Sequence, residues 1–308
     1  MLTVAYITSR GLHPLTKLGL GQYELLAQAL AAQTDDAGRP FTDYEVVIVD
    51  KDNPLPRPEV ALACRDAVGG VTCLRPRATP WTRMGAFAPN AARNTALCHA
   101  RGDVVVGLDD CFEPGPRYLW RTAQLAAADV YAVATLRSAD DGVAYGEQPP
   151  GPVAPAALVG GLCAFPLAAA VALNGWDERF DGCSGGDVDF TWRLRLAGVR
   201  LARHPDVAAT GHDHGGRAAA HPRCWRVVCA LGDARRAAGA LRACEPWTAA
   251  ERAAFATCGQ GEDCGYTGFP CDREGAQEPS LTHEIMVGYE AQRWFDLAAA
   301  RAAAAEER

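Results

Sequence analysis

Strand and helix signals alternate along the first half of this chain, and the strands are short unbroken runs of β-branched and aliphatic residues. "LTVAYIT" (2–8), "YEVVIVD" (44–50), "VTCLRP" (71–76) and "DVVVGLDD" (103–110) read as strands, with "GQYELLAQALAAQ" (21–33) and "NAARNTALCHA" (90–100) as helices between them. A strand that is apolar on both faces must be covered on both, and a strand–helix–strand order makes neighbouring strands parallel. The expected fold class is therefore α/β, with a mostly parallel, doubly wound sheet and helices on both faces. Ligands of such sheets bind outside the carboxyl ends of the strands. Three strands here end in polar residues at that edge: Thr8, Ser9 and Arg10 after the first, Asp50, Lys51, Asp52 and Asn53 after the second, and Asp109 and Asp110 after the fourth.

Composition narrows the class. Among 308 residues, 49% are hydrophobic and 22% charged, which describes a globular protein, and no apolar run is long enough for a transmembrane helix. The N-terminus has no basic flank, apolar core and small-residue cleavage site, so it reads as a first strand and the chain is expected in the cytoplasm. A net charge of −7 gives no broad basic footprint for nucleic acid. Of twelve cysteines, Cys64, Cys73, Cys98, Cys163 and Cys229 sit in apolar surroundings as small hydrophobes. Cys258, Cys264 and Cys271 lie instead in a glycine-rich stretch, where either a structural Zn²⁺ or disulfide staple or free thiols in an ordered loop would account for them.

Further along, "RYLWRTAQLAAADVYAVATL" reads as another helix and strand, "DDGVAYGEQPPGPVAP" as a surface loop, and "ALVGGLCAF" as a strand. "GWDERFDGCSGGDVDFTWRLRLAG" is a glycine-rich loop entering a helix, with Asp187 and Asp189 in its first turn, where carboxylates favour the helix dipole. "VRLARHPDVAATGHDHGG" is a strand and a loop carrying His212 and His214. From about Ala218 the texture changes, which divides the chain into a domain at 1–217 and a mainly helical, cysteine-containing C-terminal extension at 218–308. Adjacent carboxylates at a buried strand end repel one another unless a cation compensates them, and a hard divalent ion does so while bridging to a diphosphate. Asp109 and Asp110 are equally readable as the start of a turn before Pro114.

Taken in order, "YEVVIVDKDNP", "NAARNTALCHARGDVVVGLDDCFEP" and "VGGLCAFPLAAAVALNGWDERFDGCSGGDVDFTWRLRLAGVRL" resemble the GT-A-fold glycosyltransferases of family 2, over about residues 1–215. The resemblance implies an inverting transferase that moves a sugar from a nucleotide-diphosphate sugar, a UDP-sugar being favoured, to an acceptor hydroxyl, with Mn²⁺ or Mg²⁺ as cofactor. It implies that Thr8, Arg10, Asp50, Asp52, Arg93, Asn94 and Asp109 line the donor nucleotide. "LDDC" is similar to the family's DxD motif, with Asp110 as metal ligand and Asp109 as ribose or second metal contact; Cys111 stands where the family has its last aspartate. His212 or His214 would complete the metal site. Asp187 would be the general base, with Asp189 as the alternative and Gly186 in place of the usual glutamate; Trp176 and Asp177 would shape the acceptor pocket. A nucleotidyltransferase acting on a sugar phosphate and a non-catalytic nucleotide-sugar-binding module are the competing readings. The acceptor class and oligomeric state are left open by the sequence.

Overall fold

A computed structural model of the chain describes residues 1–8, 20–83, 88–139, 151–152, 162–181, 186–212, 232–243, 248–249 and 295–307. Strands β1 (Leu2–Thr8), β2 (Tyr44–Asp50), β3 (Gly70–Leu74) and β4 (Val104–Asp109) are parallel, and the short β8 (Ala164–Pro166) closes the sheet antiparallel to β4, in the order β3-β2-β1-β4-β8. Every residue of β1 and β2 is buried. That burial is what the Val/Ile runs require, because neither face of these strands meets water.

Two apolar layers cover the sheet. Leu2, Val4 and Tyr6 pack on one face with Tyr23 and Leu26 of α1 (Gln22–Ala31), Val60 of α2 (Pro58–Ala63) and Leu119 of α5 (Tyr118–Ala127). Ala5 and Ile7 face the other way, toward Ala96 and Leu97 of α4 (Pro89–His99) and Phe190 and Leu194 of α7 (Gly186–Leu196). A four-residue helix, α3 (Pro80–Arg83), precedes α4, and α6 (Leu167–Ala172) follows β8 directly. Pro166 ends β8, since it has no N–H to continue the ladder, and serves as the residue before α6.

A second sheet is built from β5 (Phe112–Pro114), β6 (Tyr131–Ser138), β7 (Gly151–Pro152) and β9 (Leu201–Gly211). β6 and β9 are parallel, with a register shift between Val133 and Thr135 opposite the His204-Pro205-Asp206 stretch. The segment after Asp110, expected as a proline-rich turn, is instead a strand: Phe112 pairs with Gly211, Glu113 with Thr210 and Pro114 with Ala209. The last helix, α8 (Leu297–Glu306), packs on α4 and buries Leu297 completely. Asn174 holds it there, donating from Nδ2 to the carbonyls of Ala243 (2.9 Å) and Phe295 (2.8 Å) and accepting from the Leu297 N–H (2.7 Å). The described C-terminal pieces thus share the core of the first two hundred residues. Among the described residues no helix is long and apolar enough to cross a membrane.

Candidate functional site

The chain leaves β1 to build β2 and β3 on one side and returns to build β4 on the other. The reversal of strand order therefore falls between β1 and β4, where the carboxyl edge opens a place for a ligand. Register puts Ile7 beside Asp109 and Thr8 beside Asp50. Thr8 donates its hydroxyl to Asp110 Oδ2 at 2.6 Å, which fixes the buried Asp110 side chain at the edge.

Arg93, from the middle of α4, reaches this edge from the other side. Its Nη2 lies 3.1 Å from each oxygen of Asp109, and its Nη1 donates to Asp187 Oδ1 at 2.7 Å and to Asn90 Oδ1 at 3.4 Å. One nearly buried guanidinium thus joins the end of β4 to the start of α7, with its charge 5.7 Å from the centre of the Trp176 ring. Two carboxylates share one cation, and Asp110 adds its charge beside Asp109. Burial pushes the Asp109 carboxyl up to about 6, helped by the neighbouring Asp187 and Asp110 charges and opposed by Arg93. Burial opposes the charge of the Arg93 guanidinium, but Asp187 and Asp109 beside it hold it more firmly protonated than usual.

The two first-turn carboxylates of α7 are in different circumstances. Asp187 keeps 34% of its side chain exposed, whereas Asp189 keeps 5% and is held between Arg193 (2.7 Å) and Arg236. Gly186 explains why no larger residue precedes Asp187: a Cβ there would lie 2.6 Å from Asn90 Nδ2 and 2.7 Å from Oδ1, so the glycine lets α7 approach α4.

Several residues expected around a donor nucleotide are engaged with the protein itself. Asp50 is fully buried; its Oδ1 accepts from the N–H groups of Asp52 (2.8 Å) and Asn53 (3.0 Å), and its Oδ2 from Asn53 Nδ2 (2.8 Å) and the Tyr23 hydroxyl. Asp52 is more accessible, 44% exposed and paired with Lys51 at 3.1 Å. Asn94 points into the interior, accepting from Trp176 N–H (2.8 Å) and donating to Trp176 O and Glu178 Oε1 (2.9 Å each). The two residues expected to shape the acceptor pocket are also interior. Trp176 stacks on Phe190 with ring centres 3.8 Å apart, and Asp177 is buried against Arg179.

His212 arrives next to the aspartate pair because β5 pairs with β9: its N–H donates to Cys111 O at 2.9 Å, and its Nε2 lies 3.1 Å from Glu113 Oε2. Cys111 itself is buried. Arg10, His214 and the trio Cys258, Cys264 and Cys271 lie outside the described residues. Among the described cysteines Cys64, Cys98, Cys111 and Cys163 are buried thiols outside any disulfide, Cys163 being pushed up to about 12 by burial and the nearby carboxylates. Among the described residues no three His, Cys, Asp or Glu side chains gather closely enough to hold a metal ion by themselves.

Sequence reasoning missed Asp181. Its carboxylate accepts from the N–H groups of Asn90 (2.7 Å) and Ala91 (3.1 Å), supplying from 90 residues away the cap that Ala88 cannot give α4. Burial and the Glu178 charge hold Asp181 well above the usual carboxylate range. Its place in "GWDERFDG", among other acids, gave no signal that it served a helix so distant in the chain.

No protein-family model matches the chain, and no curated protein matches it by sequence. Solved structures do match. S. aureus TarS 1–349 in complex with UDP-GlcNAc is similar with a TM-score of 0.57 at 17% identity, over 76% of this chain and 65% of that one. S. aureus TarS gives a TM-score of 0.56 at 16% identity, over 76% of this chain and 39% of that one. GalNAc-T7 with UDP, GalNAc and Mn²⁺ gives 0.52 at 13% identity, over 75% and 47%. The chain spans less than two thirds of the length of these neighbours. At such identities the likeness is one of fold: the chain has the GT-A glycosyltransferase fold, an α/β arrangement with a mostly parallel sheet.

Proposed function

We propose that this protein is a glycosyltransferase that moves a sugar from a nucleotide-diphosphate sugar to an acceptor hydroxyl, with inversion. The observation that carries the reading is the concentration of negative charge at the switch point, where Asp109 and Asp187 share the guanidinium of Arg93 and Asp110 adds its charge beside Asp109. Such an edge fits a hard divalent cation, which takes oxygen ligands and tolerates ligands contributed by a bound diphosphate. Asp110 and Asp109 would hold it, with His212 or His214 beside them; a bound Mn²⁺ or Mg²⁺ supplies positive charge against the leaving diphosphate. The neighbours solved with UDP-GlcNAc and with UDP support a UDP-sugar as donor.

Asp187 is the general base of this reading. It is the more accessible of the two helix-start carboxylates, and the 2.7 Å bond from Arg93 Nη1 orients it. In one displacement the acceptor oxygen bonds to the anomeric carbon, the bond from that carbon to the diphosphate oxygen breaks, and the hydroxyl proton passes to Asp187. Asp189, tied to two arginines, stiffens α7 beneath it.

Calorimetric titration with UDP, GDP and TDP, each with and without Mn²⁺, on wild type and Asp110→Ala tests the donor half. Metal-dependent binding of one nucleotide, lost in the variant, is the expected result. Release of pyrophosphate from a nucleoside triphosphate and a sugar phosphate would replace this reading with a nucleotidyltransferase. Binding without turnover over a panel of acceptors would leave a nucleotide-sugar-binding module.

A further inference from the structure

Arg93 is the place where the donor side and the acceptor side of the site touch. It is one side chain, almost fully buried, and its two terminal nitrogens are divided between carboxylates from different elements: Nη2 faces Asp109 at the end of β4, and Nη1 faces Asp187 at the start of α7. Asn90 on its own helix and the Trp176 ring also border it, and Cys163 and Asp181 lie within its electrostatic reach. Nη2 is equidistant from the two Asp109 oxygens and so engages both of the atoms that a divalent cation would also need.

We infer that Arg93 is a resident counter-ion for Asp109 that yields to a divalent cation and then bears on Asp187 alone, so that occupation of the donor side is felt at the base. The inference rests on the reading of Asp109 and Asp110 as the metal site. Two cations competing for one carboxylate oppose each other, and the opposition is reciprocal: whatever Arg93 costs the metal, the metal costs the Arg93–Asp109 pair. The 2.7 Å bond to Asp187 is the shorter of the two contacts and is made to a carboxylate with no part in holding the metal, so it is the one that persists. Arg93 acts through Asp187 and Asp109 and is thereby a positioning residue.

The test is titration of Mn²⁺ alone, followed by calorimetry, into wild type, Arg93→Gln, Arg93→Lys, Asp187→Asn and Asp110→Ala. Removing the competitor should tighten Mn²⁺ binding about tenfold in Arg93→Gln, a typical size for coupling between sites, while sugar transfer falls through kcat. Arg93→Lys keeps the charge and the fold but cannot span both carboxylates, and it should bind Mn²⁺ about threefold more tightly than wild type. Asp187→Asn leaves the guanidinium to Asp109 and should weaken Mn²⁺ several-fold. A merely structural role would lower metal affinity and activity together. Equal or weaker Mn²⁺ binding in both Arg93 variants, with wild-type binding abolished by Asp110→Ala, overturns the inference and leaves the metal site standing. Absence of Mn²⁺ binding in every protein overturns both.

Discussion

The ends of β2 and β4 look alike in sequence, each a Val-rich strand stopping at aspartate, and the structure makes opposites of them. At β2, Asp50 is fully buried and each oxygen accepts two hydrogen bonds, from Tyr23, Asn53 and the N–H groups that follow it. At β4, Asp109 and Asp110 have Arg93 and Thr8 as neighbours, a third carboxylate stands nearby, and 26% of the Asp109 side chain is exposed. A carboxylate whose lone pairs are all used by its own protein shapes the turn. Asp109, which shares its guanidinium with a second carboxylate and stays partly exposed, is the one the proposed reading assigns to a ligand. The same contrast recurs on α7, between the locked Asp189 and the accessible Asp187.

The comparison can be broken from the β2 side first. Asp50→Ala strands the Tyr23 hydroxyl, the Asn53 amide and two backbone N–H groups in the interior, and should cost about 3–5 kcal/mol of stability in urea denaturation. If Asp50 instead contacts the donor, the variant keeps its stability and loses nucleotide binding. Next in size is Gly186→Glu, which reintroduces a carboxylate beside Asp187. With Asn90 occupying the space, it should lose about 1–3 kcal/mol in thermal unfolding and gain no transferase activity.

The β4 side has the opposite sign. Asp109 is held up to about 6, above the value near 3.9 of an unfolded aspartate, so the folded protein binds its proton more tightly. The ionised group then works against the fold above pH 6, and that penalty disappears as pH falls toward 4. Asp109→Asn should therefore be more stable than wild type by about 1 kcal/mol at pH 7 and show no such gain near pH 4, by urea denaturation at both pH values. Smallest on the stability scale is Asp110→Ala, about 1 kcal/mol for the bond from Thr8, although the same change should abolish metal-dependent nucleotide binding. A sharp destabilisation by either β4 variant would erase the distinction between the two strand ends.

Hydrophobic periodicity was enough to read the frame. The runs in β1, β2 and β4 are apolar on both faces, and no other class of fold buries such strands. The acidic edge was legible for the same reason, because strand ends locate themselves once the strands are known. What escaped were pairings between segments far apart in the chain. Nothing near "CFEP" indicates that it pairs with the end of β9, yet that pairing brings His212 beside Cys111. Asn94 sits in a helix expected to line a nucleotide, but its amide is turned to the Trp176 loop by contacts more than eighty residues distant. Whether a polar side chain serves a ligand or its own fold depends on partners that local spacing does not encode.

The clamp at Asn174 bears on how the molecule comes into being. Its bond to the Phe295 carbonyl joins residues 121 positions apart, and α8 fills the space against α4 that a growing chain must leave open. Until residues 295–306 emerge from the ribosome, Leu97 and its neighbours lack part of their cover and the Asn174 amide has Ala243 but not Phe295 or Leu297 as a partner. Contacts so distant in sequence close late. The side of the sheet covered by α4 and α7 is thus completed by a helix made about a hundred residues after α7, and a nascent chain that stalls before α8 has that half of its core unsealed.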